Sequence, residues 1–240
     1  MSDTALLIID MFNDYRHEDG DELAANVAEI LDPLHRLLTA ARAHEGVDVL
    51  YVNDNHEDFS VGGEGIVDIA LSGRHPELVK PLVPTDGSTF LTKVRHSVFY
   101  ATALDYLLRQ RGVTTLILTG QVTEQCILYS ALDGYLRHYD VIVPPDAVAH
   151  IDPELGDAAL KMMQRNMAAQ IVESTRRRAA TSATVSMGVG GVVFTHSPYP
   201  VSPSVHARSK RHGRHRVDST IWAAMLRCII FRAASPSSGS

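Results

Sequence analysis

The sequence predicts an α/β protein built on a mainly parallel sheet with helices layered on its faces. Short apolar runs of strand length alternate with longer segments whose apolar residues recur at steps of three and four. The first run, residues 5–9, is apolar at every position, which suits a strand covered on both faces. Length and composition set the scale. The chain has 240 residues, 45% hydrophobic and 21% charged, enough for one sizeable core and unlike a wholly disordered or disulfide-stapled chain.

After the strand at 5–9, Leu23, Val27, Ile30, Leu31, Leu34, Leu37, Leu38 and Ala41 mark an amphipathic helix that ends near Gly46, with Pro33 as a kink point. Residues 47–52 read as the second strand and 89–92 as a shorter third. A helix over 101–111 turns Leu104, Leu107 and Leu108 inward. Residues 115–119 form a strand followed by Gly120, and a helix over 123–137 precedes a strand at 141–143. A helix at 153–166 and a strand at 169–172 complete the alternation, which argues for a layered fold. Gly62, Gly63 and Gly65 make 57–66 a mobile loop, with no Lys-Ser/Thr at the spacing of a phosphate-binding loop.

Charge divides the chain in two. Residues 1–175 hold 12 Lys and Arg against 27 Asp and Glu, a formal −15, whereas residues 176–240 hold 10 against one, a formal +9. Periodicity ends at the same place. Residues 1–175 are therefore read as the folded domain and 176–240 as a basic, disordered tail, with nucleic-acid binding conceivable only through that tail. Two cysteines, Cys126 and Cys228, are too few for a disulfide framework. The start lacks a signal-like apolar stretch, and the late run 221–231 is too short to span a bilayer and contains Arg227. A soluble, cytoplasmic protein without membrane contact is expected.

Parallel sheets place their sites beyond the carboxyl ends of the strands. Asp10 follows the first strand, Lys93 ends the third, and Cys126 lies just past the strand at 115–119. A carboxylate, an ammonium and a thiol on one sheet edge suit covalent catalysis. With Thr123 as N-cap, Cys126 falls in the first helical turn, where free N–H groups and Lys93 are expected to lower the thiol pKa, Glu124 opposing them. Taken singly, each residue has a plainer reading: a turn cap, a solvated surface charge and a small buried side chain. Tyr15, Phe99, Tyr100 and Tyr129 lie close in sequence and are candidates to line a substrate pocket, against core packing as the plainer alternative. His96 reads as a surface or helix-entry histidine ahead of a substrate contact.

Three stretches, Leu6-Leu-Ile-Ile-Asp10-Met-Phe-Asn-Asp14-Tyr15, Lys93-Val-Arg95-His-Ser97-Val-Phe99 and Gly120-Gln-Val-Thr123-Glu-Gln-Cys126 with Ala131-Leu-Asp133-Gly134, resemble the isochorismatase-like cysteine hydrolase superfamily over about residues 4–173. The resemblance implies a three-layer αβα fold with a six-stranded, mainly parallel sheet, a homodimer or higher oligomer, and an Asp10, Lys93, Cys126 triad. It also implies a cis peptide between Gln121 and Val122, with the N–H groups of Val122 and Cys126 as the oxyanion hole. The implied activity is hydrolysis of a small-molecule amide or related C–N bond through a Cys126 thioester. Vinyl-ether hydrolysis and a non-catalytic binding protein are the alternatives. Phe12 stands where many relatives carry a polar residue. Nicotinamidases of this superfamily hold a divalent metal with an Asp-x-His segment and two more histidines. Here Asp54 and His56 supply the pair, Gly62 occupies the next place and His75 is distant, so neither a metal nor another cofactor is expected.

Overall fold

The computed structural model describes residues 2–174; the basic tail, including Cys228 and the apolar run 221–231, lies outside the described residues. Strand β1 (Thr4–Ile9) is buried along its whole length and sits between β2 (Val47–Asp54) and β4 (Thr115–Gln121), parallel to both. Its continuous apolar run follows from this position. Leu6 and Ile8 face one core, with the long helix α1 (Gly20–Arg42), while Ala5, Leu7 and Ile9 face the other, with α4 (Leu104–Arg111), α5 (Leu128–Leu136) and α6 (Pro153–Asn166). Leu23, Val27, Leu34 and Leu38 of α1 are almost fully buried, each worth about 1.5–3 kcal/mol. The three layers are thus helix, sheet and helix.

The sheet order is β3-β2-β1-β4-β5-β7, with β3 at Thr89–Lys93, β5 at Asp140–Val143 and β7 at Gln170–Ile171. These are the six expected strands, and every pairing is parallel. A seventh, two-residue strand, β6 (Val148–Ala149), pairs with the end of β4. From β1 the chain winds first toward β2 and β3, then returns to the other side for β4, β5 and β7. The reversal lies between β1 and β4, where open α/β sheets form their crevice.

Four local expectations need correction. The 57–66 loop is shorter than expected, because a helix, α2 (Gly63–Leu71), begins inside it and buries Ile66, Val67 and Ala70. Gly63 is needed there, since a Cβ would lie 2.7 Å from the Phe90 ring. A short helix, α3 (Pro76–Val79), follows. Helix α4 starts at Leu104, not 101, because Ala101 has φ 55°, outside the helical region, and Leu107 is only half-buried. Strand β2 runs two residues past 52, so Asp54 is a strand residue opposite Lys93 of β3. Finally, the helix expected over 123–137 opens with a wide π-turn, Thr123–Ile127, in which the Ile127 N–H donates to the Val122 carbonyl at 3.1 Å. The Thr123 hydroxyl is buried without a partner and caps nothing. Asp152, by contrast, caps α6 by accepting from the N–H groups of Glu154 and Leu155. Among the described residues no helix is long and apolar enough to cross a membrane.

Candidate active site

The carboxyl ends of β1, β3 and β4 bring Asp10, Lys93 and Cys126 together. Asp10 leaves β1 at φ 53°, a region that non-glycine residues seldom adopt, and neighbouring strands hold it there. Its N–H donates to the Val52 carbonyl at 3.0 Å, its Oδ1 accepts from the Asp54 N–H at 2.8 Å, and its carbonyl accepts from Gln121 Nε2 at 2.5 Å. On the β4 side the close approach requires glycine. Gly120 has φ 107°, and a Cβ there would lie 2.1 Å from the Ile9 carbonyl oxygen. Asn53 locks the next turn, accepting from the Phe12 N–H at 3.0 Å and donating to the Phe12 carbonyl at 3.1 Å.

Lys93 is not a solvated surface charge. Its side chain is 1% exposed, and Nζ lies 2.8 Å from Asp10 Oδ2, 3.4 Å from Asp54 Oδ2 and 3.7 Å from Cys126 Sγ. Burial works against the ammonium, but Asp10, the Cys126 sulfur and Asp54 outweigh it and hold its pKa above the ordinary 10.5. Cys126, nearly buried in the π-turn, shifts in the direction opposite to the one its helix position suggests. Burial, then the Asp10 carboxylate, push the thiol well above its ordinary 9.0, and Lys93 only partly opposes them. The balance favours the protonated thiol. Desolvation of a thiolate in this turn exceeds what the turn's N–H groups return. The Gln121–Val122 peptide is cis.

The four aromatic candidates and His96 take different places around the triad. Tyr15 is fully buried in the α1-side core, edge-on to His75 at 5.6 Å, with its hydroxyl toward the Gln121 side chain. Phe99 is a core residue too, stacked on Tyr139 at 5.9 Å and covered by the Arg137 guanidinium at 4.8 Å. Tyr100 is exposed on the surface. Tyr129 alone of the four reaches the site's edge, through His96, whose ring lies 5.4 Å away. His96 itself was underrated: although exposed, it carries Nδ1 to 3.9 Å from Cys126 Sγ. A cleft of about 280 Å³ opens on the β1 and β2 side, lined among others by Phe12, Asn13, His17, Asn55, His56 and Ile66. Phe12 thus faces this cleft as well as its ring neighbours Tyr51 and Phe90.

The family model of the Isochorismatase domain matches residues 4–176. This chain belongs to the isochorismatase family. It is 33% identical to the uncharacterized isochorismatase family protein YaaI of Bacillus subtilis over 170 residues, covering 71% of this chain and 93% of that one. It is 32% identical to the ureidoacrylate amidohydrolase RutB of Methylorubrum extorquens over 189 residues, 67% of this chain and 76% of the relative. The nicotinamidase PncA of Bacillus subtilis superposes with a TM-score of 0.57 at 29% identity, covering 72% of this chain and all of that one. The chain is an isochorismatase-family hydrolase, and amidohydrolases are among its relatives.

The residues of this isochorismatase-family hydrolase do not fit a nicotinamidase-type metal. Asp54 Oδ2 is drawn to Lys93, while Oδ1 accepts from the N–H of His56, which sits at φ 51°. His75 is engaged elsewhere, with Glu77 at 3.1 Å and Asp21 at 3.8 Å. Among the described residues no group of three or more His, Cys, Asp or Glu side chains can hold a metal ion. Asp54 acts instead as a second anion beside the buried ammonium.

Proposed function

We propose that this hydrolase cleaves an amide or related C–N bond of a small molecule through a thioester on Cys126. The observation that carries the reading is the buried ammonium of Lys93, 2.8 Å from Asp10 and 3.7 Å from the Cys126 sulfur. A thiol whose pKa is raised attacks a carbonyl only if its proton leaves as the bond forms, and Asp10 is the carboxylate placed to take it. Sγ bonds to the carbonyl carbon, and the negative oxygen is received by the N–H groups of Val122 and Cys126. Collapse breaks the C–N bond, the amine leaves with the proton held on Asp10, and water hydrolyses the thioester. Lys93 holds Asp10 in place and pairs with its carboxylate before the proton arrives and after the amine has taken it away. The ureidoacrylate amidohydrolase and nicotinamidase relatives support the C–N bond as the target.

The test is to offer the full chain a panel of primary amides, ureido acids and N-carbamoyl amino acids, assay ammonia release, and quench in acid for intact mass. An acyl adduct confined to the peptide carrying Cys126 and discharged by hydroxylamine is expected. Full turnover of the same substrate by Cys126→Ala would overturn the reading.

A further inference from the structure

Beside the buried Asp10 and Lys93, an exposed proton-handling group also reaches the Cys126 sulfur, and it is not used above. On the buried side stand Asp10 and Lys93; on the exposed side His96 Nδ1 lies 3.9 Å from Sγ. We propose that His96 is the general base of deacylation, activating the water that cleaves the Cys126 thioester. This rests on the thioester reading.

His96 is held there by the helix that follows the nucleophile. Ser97 Oγ donates to Asp133 Oδ2 at 2.5 Å, and the Val98 N–H donates to Ser130 Oγ at 3.0 Å, so the segment after β3 is pinned to α5 at two points. Asp133 is itself bound by Arg137 at 2.5 Å. The imidazole rests on the Tyr129 ring, which projects from the same helix one turn beyond Cys126. Its position relative to the sulfur is thus built in, although the ring itself meets solvent. Water reaches a thioester from that side. Asp10 is less suited to meet it, since its side chain is only 14% exposed and lies on the Lys93 side of the sulfur.

The step balances without a further reagent. In the Nε2–H tautomer, Nδ1 accepts a proton from water as the water oxygen bonds to the thioester carbon. The C–S bond then breaks, the carboxylic acid departs and ionises in solvent, and the imidazolium returns its proton to the Cys126 sulfur. Thiol and neutral imidazole are restored.

The experiment uses the full chain with p-nitrophenyl acetate as the acylating probe. Release of p-nitrophenolate reports acylation, and the decay of acetyl-Cys126, followed by intact mass after removal of excess ester, reports deacylation. His96→Phe keeps a ring against Tyr129 without a base, and His96→Asn keeps a polar group. In both, acylation is expected to stay within about threefold of wild type while deacylation falls about 100-fold, the lower end of what a positioned base contributes. kcat and KM then fall together with kcat/KM unchanged. Decay of acetyl-Cys126 at the wild-type rate in either variant overturns the inference and leaves the thioester standing, as does a loss confined to acylation. If wild type forms no acetyl-Cys126, the thioester reading itself fails and takes this one with it.

Discussion

The two sides of the Cys126 sulfur differ in every property that governs proton transfer. On one side Lys93 is 1% exposed and shares Asp10 and Asp54, three formal charges locked at the ends of β1, β2 and β3. On the other, His96 is exposed and is held to α5 by the hydrogen bonds of Ser97 and Val98 and by the tilted ring of Tyr129, itself an exposed α5 residue. Charges in a low-dielectric interior hold fixed positions and interact strongly, whereas exposed groups exchange with water and with ligand. The buried side therefore suits the chemistry common to many substrates, and the open side suits water entry and choice of substrate.

The largest effects should come from the buried side. Cys126→Ala should lower turnover by ~10⁴-fold or more, and Asp10→Asn by about 10³-fold, because one removes the nucleophile and the other its proton acceptor. Cys126→Ala removes little volume, so its melting temperature should stay close to wild type. Lys93→Ala should in addition cost about 3–5 kcal/mol of stability in urea unfolding, since Asp10 and Asp54 are left facing each other without a cation. Arg95, two residues further along, forms only an exposed contact with Glu57 at 3.7 Å, and Arg95→Ala should cost less than about 0.5 kcal/mol. Equal costs for these two substitutions would erase the contrast between the sides.

The strand-end residues were legible because an apolar run marks where a parallel strand ends, and the residue after it is placed by topology alone. Asp10 and Lys93 follow from that rule, and Cys126 from the turn that leads from β4 into the next helix. His96, Asp54 and Gln121 do not, since what each touches is decided by chain segments 30, 39 and 111 residues away. Thr123 caps nothing, and nothing local in the sequence distinguishes a π-turn from an α-helical start. The first turn of α2 falls inside the loop expected over 57–66 because Gly63 and Gly65 weaken it, and packing of Ile66, Val67 and Ala70 carries it instead. Tyr15 and Phe99 lie close in sequence to Asp10 and Lys93, but both are irregular-segment residues whose rings are taken up by the core, against His75 and Tyr139.

Alkaline pH separates the two sides by a smaller effect. Lys93 and Cys126 keep their protons in the folded chain to higher pH than in the unfolded one, and burial does the same to Tyr15. Above the ordinary values of 9.0 for the thiol, 10.0 for the phenol and 10.5 for the ammonium, the unfolded chain therefore binds fewer protons, and stability falls as pH rises. These groups add no slope below about pH 8. A melting temperature flat to there and declining above pH 9, with the first part of the decline smaller in Cys126→Ala, is expected. Iodoacetamide labelling, read on the peptide carrying Cys126 because Cys228 is a second thiol, should lag behind a free thiol at pH 8.5 and still be rising at pH 10. Labelling that saturates below pH 8 would mean that Lys93 and the π-turn prevail over burial.

On the open side the effects should be confined to substrate. Tyr129→Ala removes the ring beneath His96 from a side chain that is 45% exposed, so it should alter KM by a few-fold with little change in melting temperature. A large stability loss would mean that the His96 and Tyr129 pair is structural.

The smallest effect is expected from removing residues 176–240, and it bears on whether the open side is really open. The family match ends at residue 176, and the alignment to YaaI covers 93% of that relative while using 71% of this chain. Every described strand and helix, and the whole triad, precede Thr175. The segment carries +9 against −15 for the rest, so attraction between the two is available, and Ile221, Trp222, Met225, Leu226, Ile229 and Ile230 recur at near-helical spacing. If that segment lay over His96 and Tyr129, a chain stopped at Thr175 would bind substrate more freely and show a lower KM. We expect instead the same kcat, KM and melting temperature for the two chains, because relatives of the isochorismatase family match without this segment. A shifted KM at unchanged kcat would place the basic segment on the exposed side of the sulfur, and salt would then reproduce the effect of truncation by screening the attraction.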